Sequence, residues 1–250
     1  SIFALSFPGA GSTSFNYDVR LGFDTSFTGK DLLKTTLRAS NLSQSGFGYQ
    51  IGIGGFTATA LNNLEVNPGL LCNTGVGNCG DTVSINRLYY QFPIGANLTA
   101  TVGAKVRQDD MLAMWPSVYP ADTILDVFTY AGAPGAYNLN LGAGAGIWYQ
   151  KNGWSFSLNY VAGNGDVGAP EFGGIATSGS SETGTVQIGY AGSNWGLAAV
   201  YNYSNGLGPA SGTPAAVLAG VFNQVDSVNS VGVSGYWQPT TAGWFPAISA

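Results

Sequence analysis

Along residues 16–41 apolar and polar side chains alternate with a period of two. Tyr17, Val19, Leu21, Phe23, Thr25 and Phe27 fall on one side; Asn16, Asp18, Arg20, Gly22, Asp24 and Ser26 fall on the other. Successive strand side chains point to opposite faces, so the pattern predicts a long strand with one apolar and one charged face. Gly29-Lys30-Asp31 turns the chain. Leu33, Thr35, Leu37 and Ala39 then alternate against Lys34, Thr36, Arg38 and Ser40. Two architectures share this local pattern. A soluble β-sandwich buries its apolar face, whereas a transmembrane barrel turns it to lipid and keeps the polar face around water.

The same alternation recurs along the chain. It predicts strands at 1–7, 82–92, 98–107, 138–149, 154–160, 185–190, 195–204, around Val231 and Val233, and from Trp244 to the last residue. A short strand pair is expected within 50–60, and one or two helical turns over 122–128 after Pro120. With the first hairpin this gives about eleven strands. Tight turns at 29–31, 93–97, 151–153 and 192–194 alternate with long connections at 41–81, 108–137, 163–182 and 205–227. Short turns at one end and long loops at the other are the asymmetry of outer-membrane barrels. Phe27, Phe92, Tyr149, Trp154, Tyr190, Trp195, Trp237 and Trp244 stand beside turns, as an interfacial aromatic girdle requires. A sandwich has no reason to place aromatics there. The expected fold is therefore all-β, a transmembrane antiparallel β-barrel, with residues 1–250 as part of it. An even-numbered closed barrel has no edge, so further strands are expected outside the chain.

Composition strengthens the barrel reading. Of 250 residues, 38 are Gly and only 8% are charged, while 45% are hydrophobic. Soluble domains carry about 25% charged residues. The net charge of −5 disfavours a nucleic-acid partner and mildly favours cations at an internal surface. The apolar run 215–219 is far below the roughly 20 residues of a membrane helix. The start at Ser1 fits processing or a longer parent protein. Cys72 and Cys79 sit among loop formers and predict a small disulfide loop in an oxidising compartment. With no His in the chain, a zinc site lacks ligands. No nucleophile–base constellation is present, so no enzyme, cofactor or metal site is expected. Gly142 to Gly146 resembles a dinucleotide loop only in spelling, since a strand phase rather than a helix follows.

Several segments resemble a known family. SFTGKDLLKTTLRASN, NRLYYQFPIG, MLAMWPSVYPADTILDVFTYAGAPGAYNL and TAGWFPAISA are similar to the cyanobacterial outer-membrane porins, often called iron uptake porins and related to the carbohydrate-selective porins. The resemblance covers residues 17–250. It implies a trimeric barrel of about sixteen strands in the cell outer membrane, contacting bilayer and lipopolysaccharide and passing small inorganic ions. Family members also carry an S-layer-homology domain that grips peptidoglycan and a coiled-coil linker; neither segment is in these 250 residues. The iron label rests on the family name alone.

The expected function is passive diffusion of small hydrophilic solutes and ions; the alternative is a plugged structural barrel anchoring the outer membrane to the wall. Asp18, Arg20, Asp24, Lys34, Arg38, Arg87, Lys105 and Arg107 fall on the polar phase and are the candidate pore-lining residues, with cross-strand pairing as a second role. The connection 108–137 carries Met111, Leu112, Met114, Trp115 and further apolar residues, too many to hang in water. It is expected to fold inward as a constriction, over the space left by Gly103, Gly142, Gly144 and Gly146. Its Asp109, Asp110, Asp122 and Asp126 would then face the arginines beside the passage and select cations. A trimer contact is the other use of the same apolar residues.

Overall fold

The computed structural model describes residues 15, 17–41, 81–123, 126–206, 227–239 and 248–249. The strands expected at 1–7 and within 50–60, and the Cys72–Cys79 pairing, lie outside these residues. What is described is all-β: one antiparallel sheet with strands in sequence order. The strands are β1 (Asp18–Thr25), β2 (Leu32–Ser40), β3 (Ser84–Ile94), β4 (Leu98–Arg107), β5 (Leu141–Lys151), β6 (Trp154–Ala162), β7 (Glu182–Ala191), β8 (Trp195–Asn205), β9 (Ser227–Trp237) and β10 (Ile248–Ser249). Among the described residues the sheet does not close, and β1 and β10 are its edges. The chain has a short 3-10 turn at Asp126–Tyr130, later than the helical turns expected at 122–128, and another at Gln108–Met111.

Register converts the alternation into two surfaces. Directly opposed residues share a face. One row runs across five strands as Ile147, Leu158, Val186, Tyr201 and Val231. The adjacent row on the other face is Gly146, Asn159, Thr185, Asn202 and Ser230. A one-residue slip would exchange the faces entirely. The polarity is inverted relative to a soluble sheet. Phe156, Leu158, Ile188, Leu197, Val231 and Val233 are exposed, whereas Ser157, Asn159, Thr183, Thr185, Gln187 and Asn202 are buried.

The loop between β4 and β5 covers that polar face, and the core lies between loop and sheet. Val106, Met111, Tyr89 and Val161 form one apolar cluster; Ala131, Ala136, Tyr137 and Val200 form another. Ser117 touches Ser249 of β10 at 2.9 Å, and Asp122, five residues on, touches Arg20 of β1 at 2.8 Å. A flat sheet would hold these edges about 43 Å apart, at nine steps of roughly 4.8 Å. Five extended residues reach about 18 Å, and side chains and contacts laid end to end add only roughly 20 Å. The chain also bends at 117–119. The sheet is therefore curved, with its polar face concave around the loop.

Candidate functional site

Two kinds of contact seat the loop, and they divide it by strand. Over β5–β9 the partners are amides and hydroxyls. The buried Gln108 side chain donates to Ala136 O at 2.8 Å and to Thr185 Oγ1 at 2.6 Å, and its Oε1 accepts from Leu139 N at 3.1 Å. Gln187 donates to Met114 O at 2.9 Å and accepts from the Tyr137 hydroxyl at 2.8 Å. Ala113 N donates to Ser157 Oγ at 2.9 Å, and Asn138 donates to Ser204 Oγ at 2.9 Å and to Asn202 Oδ1 at 3.2 Å. These loop groups find partners on the wall or within the loop, as buried polar groups need; among the described residues Asn159 Oδ1 and Ser234 Oγ are buried without one.

Small residues let the loop backbone come close. A Cβ on Gly146 would lie 3.0 Å from Met111 Cβ and Sδ, and one on Gly189 would lie 2.5 Å from Met114 Sδ. On β9, a Cβ on Gly232 would meet Ala133 Cβ at 2.6 Å. Of the four glycines expected to make this room, Gly146 meets the loop turn at Met111. Gly103, Gly142 and Gly144 lie instead against neighbouring strands, at Tyr89, Ala162 and Tyr160 respectively.

Over β1–β4 the contacts are ionic. Asp18 accepts from Arg38 Nε at 2.7 Å and from Arg20 Nε at 3.1 Å. This matters because Arg20 and Arg38 are opposed in register, and like charges there repel. Asp122 Oδ1 accepts from both Arg20 Nη1 and Arg107 Nη1, each at 2.8 Å. Arg107 also pairs through Nη2 with Asp109 Oδ2 at 2.8 Å, and its backbone N–H donates to Asp110 Oδ2 at 2.9 Å. Arg87 Nε bonds the other loop carboxylate, Asp110 Oδ2, at 2.6 Å. Burial opposes ionisation of Asp122, but the Arg107 and Arg20 guanidiniums outweigh it and hold the carboxyl well below the usual range. Asp24 and Lys34, opposed across β1 and β2, pair at 2.8 Å near the short-turn end.

The structure thus brings Asp18, Arg20, Arg38, Arg87, Arg107, Asp109, Asp110 and Asp122 into one contact network. Sequence reasoning placed the loop acids facing the arginines across or beside a passage; they touch them instead. Lys105 is set apart. β4 carries an extra residue between Gly103 and Val106, and this bulge puts Lys105 opposite Leu88. Leu88 belongs to the apolar phase through Thr35 and Phe23, so Lys105 leaves the polar face on which strict alternation placed it. The side chain of Asp126 lies outside the described residues.

No family model matches the chain. Two proteins are similar to it. The uncharacterized protein sll0772 of Synechocystis sp. is 28% identical over 203 residues, covering 80% of this chain and 33% of that protein. The uncharacterized protein alr4550 of Nostoc sp. is 27% identical over 258 residues, covering 92% of this chain and 42% of that protein. The chain therefore spans less than half the length of these relatives.

Gln108, Asn138, Asn159, Gln187 and Asn202 were not singled out from the sequence. Asn159, Gln187 and Asn202 carry a signal, amides on the polar phase of strands otherwise built from Gly, Ser and Thr, whereas Gln108 and Asn138 lie in the loop, where alternation gives none. What they grip became visible only with the loop in place.

The outer surface has its own borders. At the short-turn end Trp154, Tyr190 and Trp195 touch in series, the first pair edge-on and the second tilted, with ring centroids 5.1 and 5.4 Å apart. Phe27, Tyr90 and Phe92 form a similar series at 6.3 and 5.5 Å. Asp31 fastens that turn. It accepts from Ser26 Oγ at 2.8 Å, Thr28 N at 2.7 Å and the Tyr90 hydroxyl at 2.7 Å.

Proposed function

We propose that this chain forms part of the wall of an outer-membrane β-barrel whose function is passive diffusion of small hydrophilic solutes and ions. The observation that carries the reading is the inverted polarity. An apolar surface this wide is untenable in water and is what a lipid-facing wall requires. Its height fits as well. From Trp195 to Tyr203 is about 26 Å of strand, or about 20 Å of height at a barrel-like tilt, close to the roughly 25 Å apolar band of such proteins. Aromatic groups border it at both ends, as at membrane interfaces. The curvature around the loop is in the sense closure needs, with the polar face inside.

A second reading is favoured by the loop itself. Its close seating over β5–β9 suits a plugged barrel with a structural role. Planar-bilayer recording of the full-length protein separates the two. The porin reading expects steady conductance, increased on deletion of residues 116–128. Silence in both proteins would remove it in favour of the plug. Recovery of the protein in aqueous extracts, free of membrane, would remove both.

A further inference from the structure

Among the described residues the charged side chains of the polar face over β1–β4 pair in contact. From β2 to the loop they form a chain: Arg38 to Asp18, Asp18 to Arg20, Arg20 to Asp122, Asp122 to Arg107, Arg107 to Asp109. Arg87 and Asp110 form a parallel link. Four arginines thus meet four aspartates, and Asp24 with Lys34 adds a fifth balanced pair. Two further strand cations stand on the apolar phase: Lys105, turned there by the β4 bulge, and Lys151, opposite Trp154 at the end of β5. Paired charges a few ångströms apart project little field beyond about a Debye length. Asp122 is the keystone. It comes from the loop, its side chain is 44% exposed, and it joins an arginine of β1 to an arginine of β4.

We infer that Asp122 sets the charge selectivity of the passage: with it in place the described wall is electrically silent, and neutral polar solutes and small ions of either sign are passed alike. This rests on the porin reading. It replaces the cation preference that the acidic loop predicts from sequence.

The test is the permeability ratio of potassium to chloride in the full-length protein at low salt, where screening is weak. The wild type is expected near unity. Asp122→Asn leaves one positive charge in excess, with Arg20 still on Asp18 and Arg107 still on Asp109, and should shift the ratio toward chloride, on the order of twofold or more. Arg20→Gln should shift it toward potassium, and the double variant Arg20→Gln with Asp122→Asn should return near unity. That return distinguishes charge from mere loop displacement, which would widen the pore without restoring the ratio. A strongly cation-selective wild type, or a ratio unmoved by Asp122→Asn, overturns the inference while leaving the porin reading intact. Absence of any conductance overturns both.

Discussion

Asp31 illustrates how a single carboxylate organises a turn. It sits just before β2 and accepts from both side chains and backbone of 26–28, and from Tyr90 across the sheet. These hydrogen bonds, led by that from Thr28, hold its carboxyl well below the ordinary value. The sign follows from linkage. A depressed folded-state pKa gives stability that is present above the unfolded value, near pH 4, and lost as pH falls through the folded value. Asp31→Asn is therefore expected to lower the thermal midpoint at pH 7 and to flatten the wild type's decline below about pH 4. Unfolding scans from pH 7 to 2 check this; parallel curves for the two proteins would mean that Asp31 is not coupled to folding. Gly146 makes a steric version of the same point. Gly146→Val is expected to push Met111 and the loop off the wall, at a cost of about 1–3 kcal/mol, measured by denaturant unfolding.

The loop between β4 and β5 is an element held by two chemistries, and they should respond differently. Its amide half loses partners when Gln108 or Gln187 is removed. Gln108→Leu leaves the carbonyl of Ala136 without its donor and the N–H of Leu139 without its acceptor, each worth about 1–3 kcal/mol when buried and unpaired, while Thr185 keeps Asn202 as a donor. Amide exchange at 111–114 should rise in this variant and stay unchanged at β1–β2. Raised salt should loosen the ionic half near Asp122 more than the amide half, because only charged contacts are screened. Equal salt response in both halves would count against this division. The loop's inward seating follows from its composition, since Met111, Met114, Tyr130 and Tyr137 are all buried. Tyr119 and Phe128 depart from that rule: both are 41% exposed and stack on each other at 4.8 Å.

At the scale of the whole molecule, the two faces predict opposite tolerances. Leu158 lies mid-strand on β6, between Ile147 and Val186. If its face meets lipid, Leu158→Arg should cost roughly 2–4 kcal/mol, read from folding equilibria in vesicles. Lys105→Leu should be nearly neutral, because the bulge has already taken that lysine off the charged network. A Leu158→Arg protein that folds into vesicles as well as the wild type would argue against lipid contact.

Strand positions and faces are legible in the sequence because period-two alternation is a local property that β1 to β9 keep over most of their length. Alternation predicts β4 at its observed bounds, 98–107. The expected strand from Trp244 reduces to Ile248–Ser249 within the described residues. The turn placed at 93–97 begins two residues later, because Pro93 and Ile94 still pair with Thr99 and Leu98. The acids and arginines were also legible as one group, since they share a phase. Tertiary structure alone decided which of them touch. Ion pairs form between residues distant in sequence, as Arg20 and Asp122 are, and sequence spacing carries no distance between them. A bulge of one residue moved Lys105 to the other face, which alternation cannot anticipate because it assumes an unbroken ladder. Whether the polar face is solvated or covered was likewise settled by where a distant loop comes to rest, and that depends on packing the loop's apolar side chains against small residues on strands far along the chain.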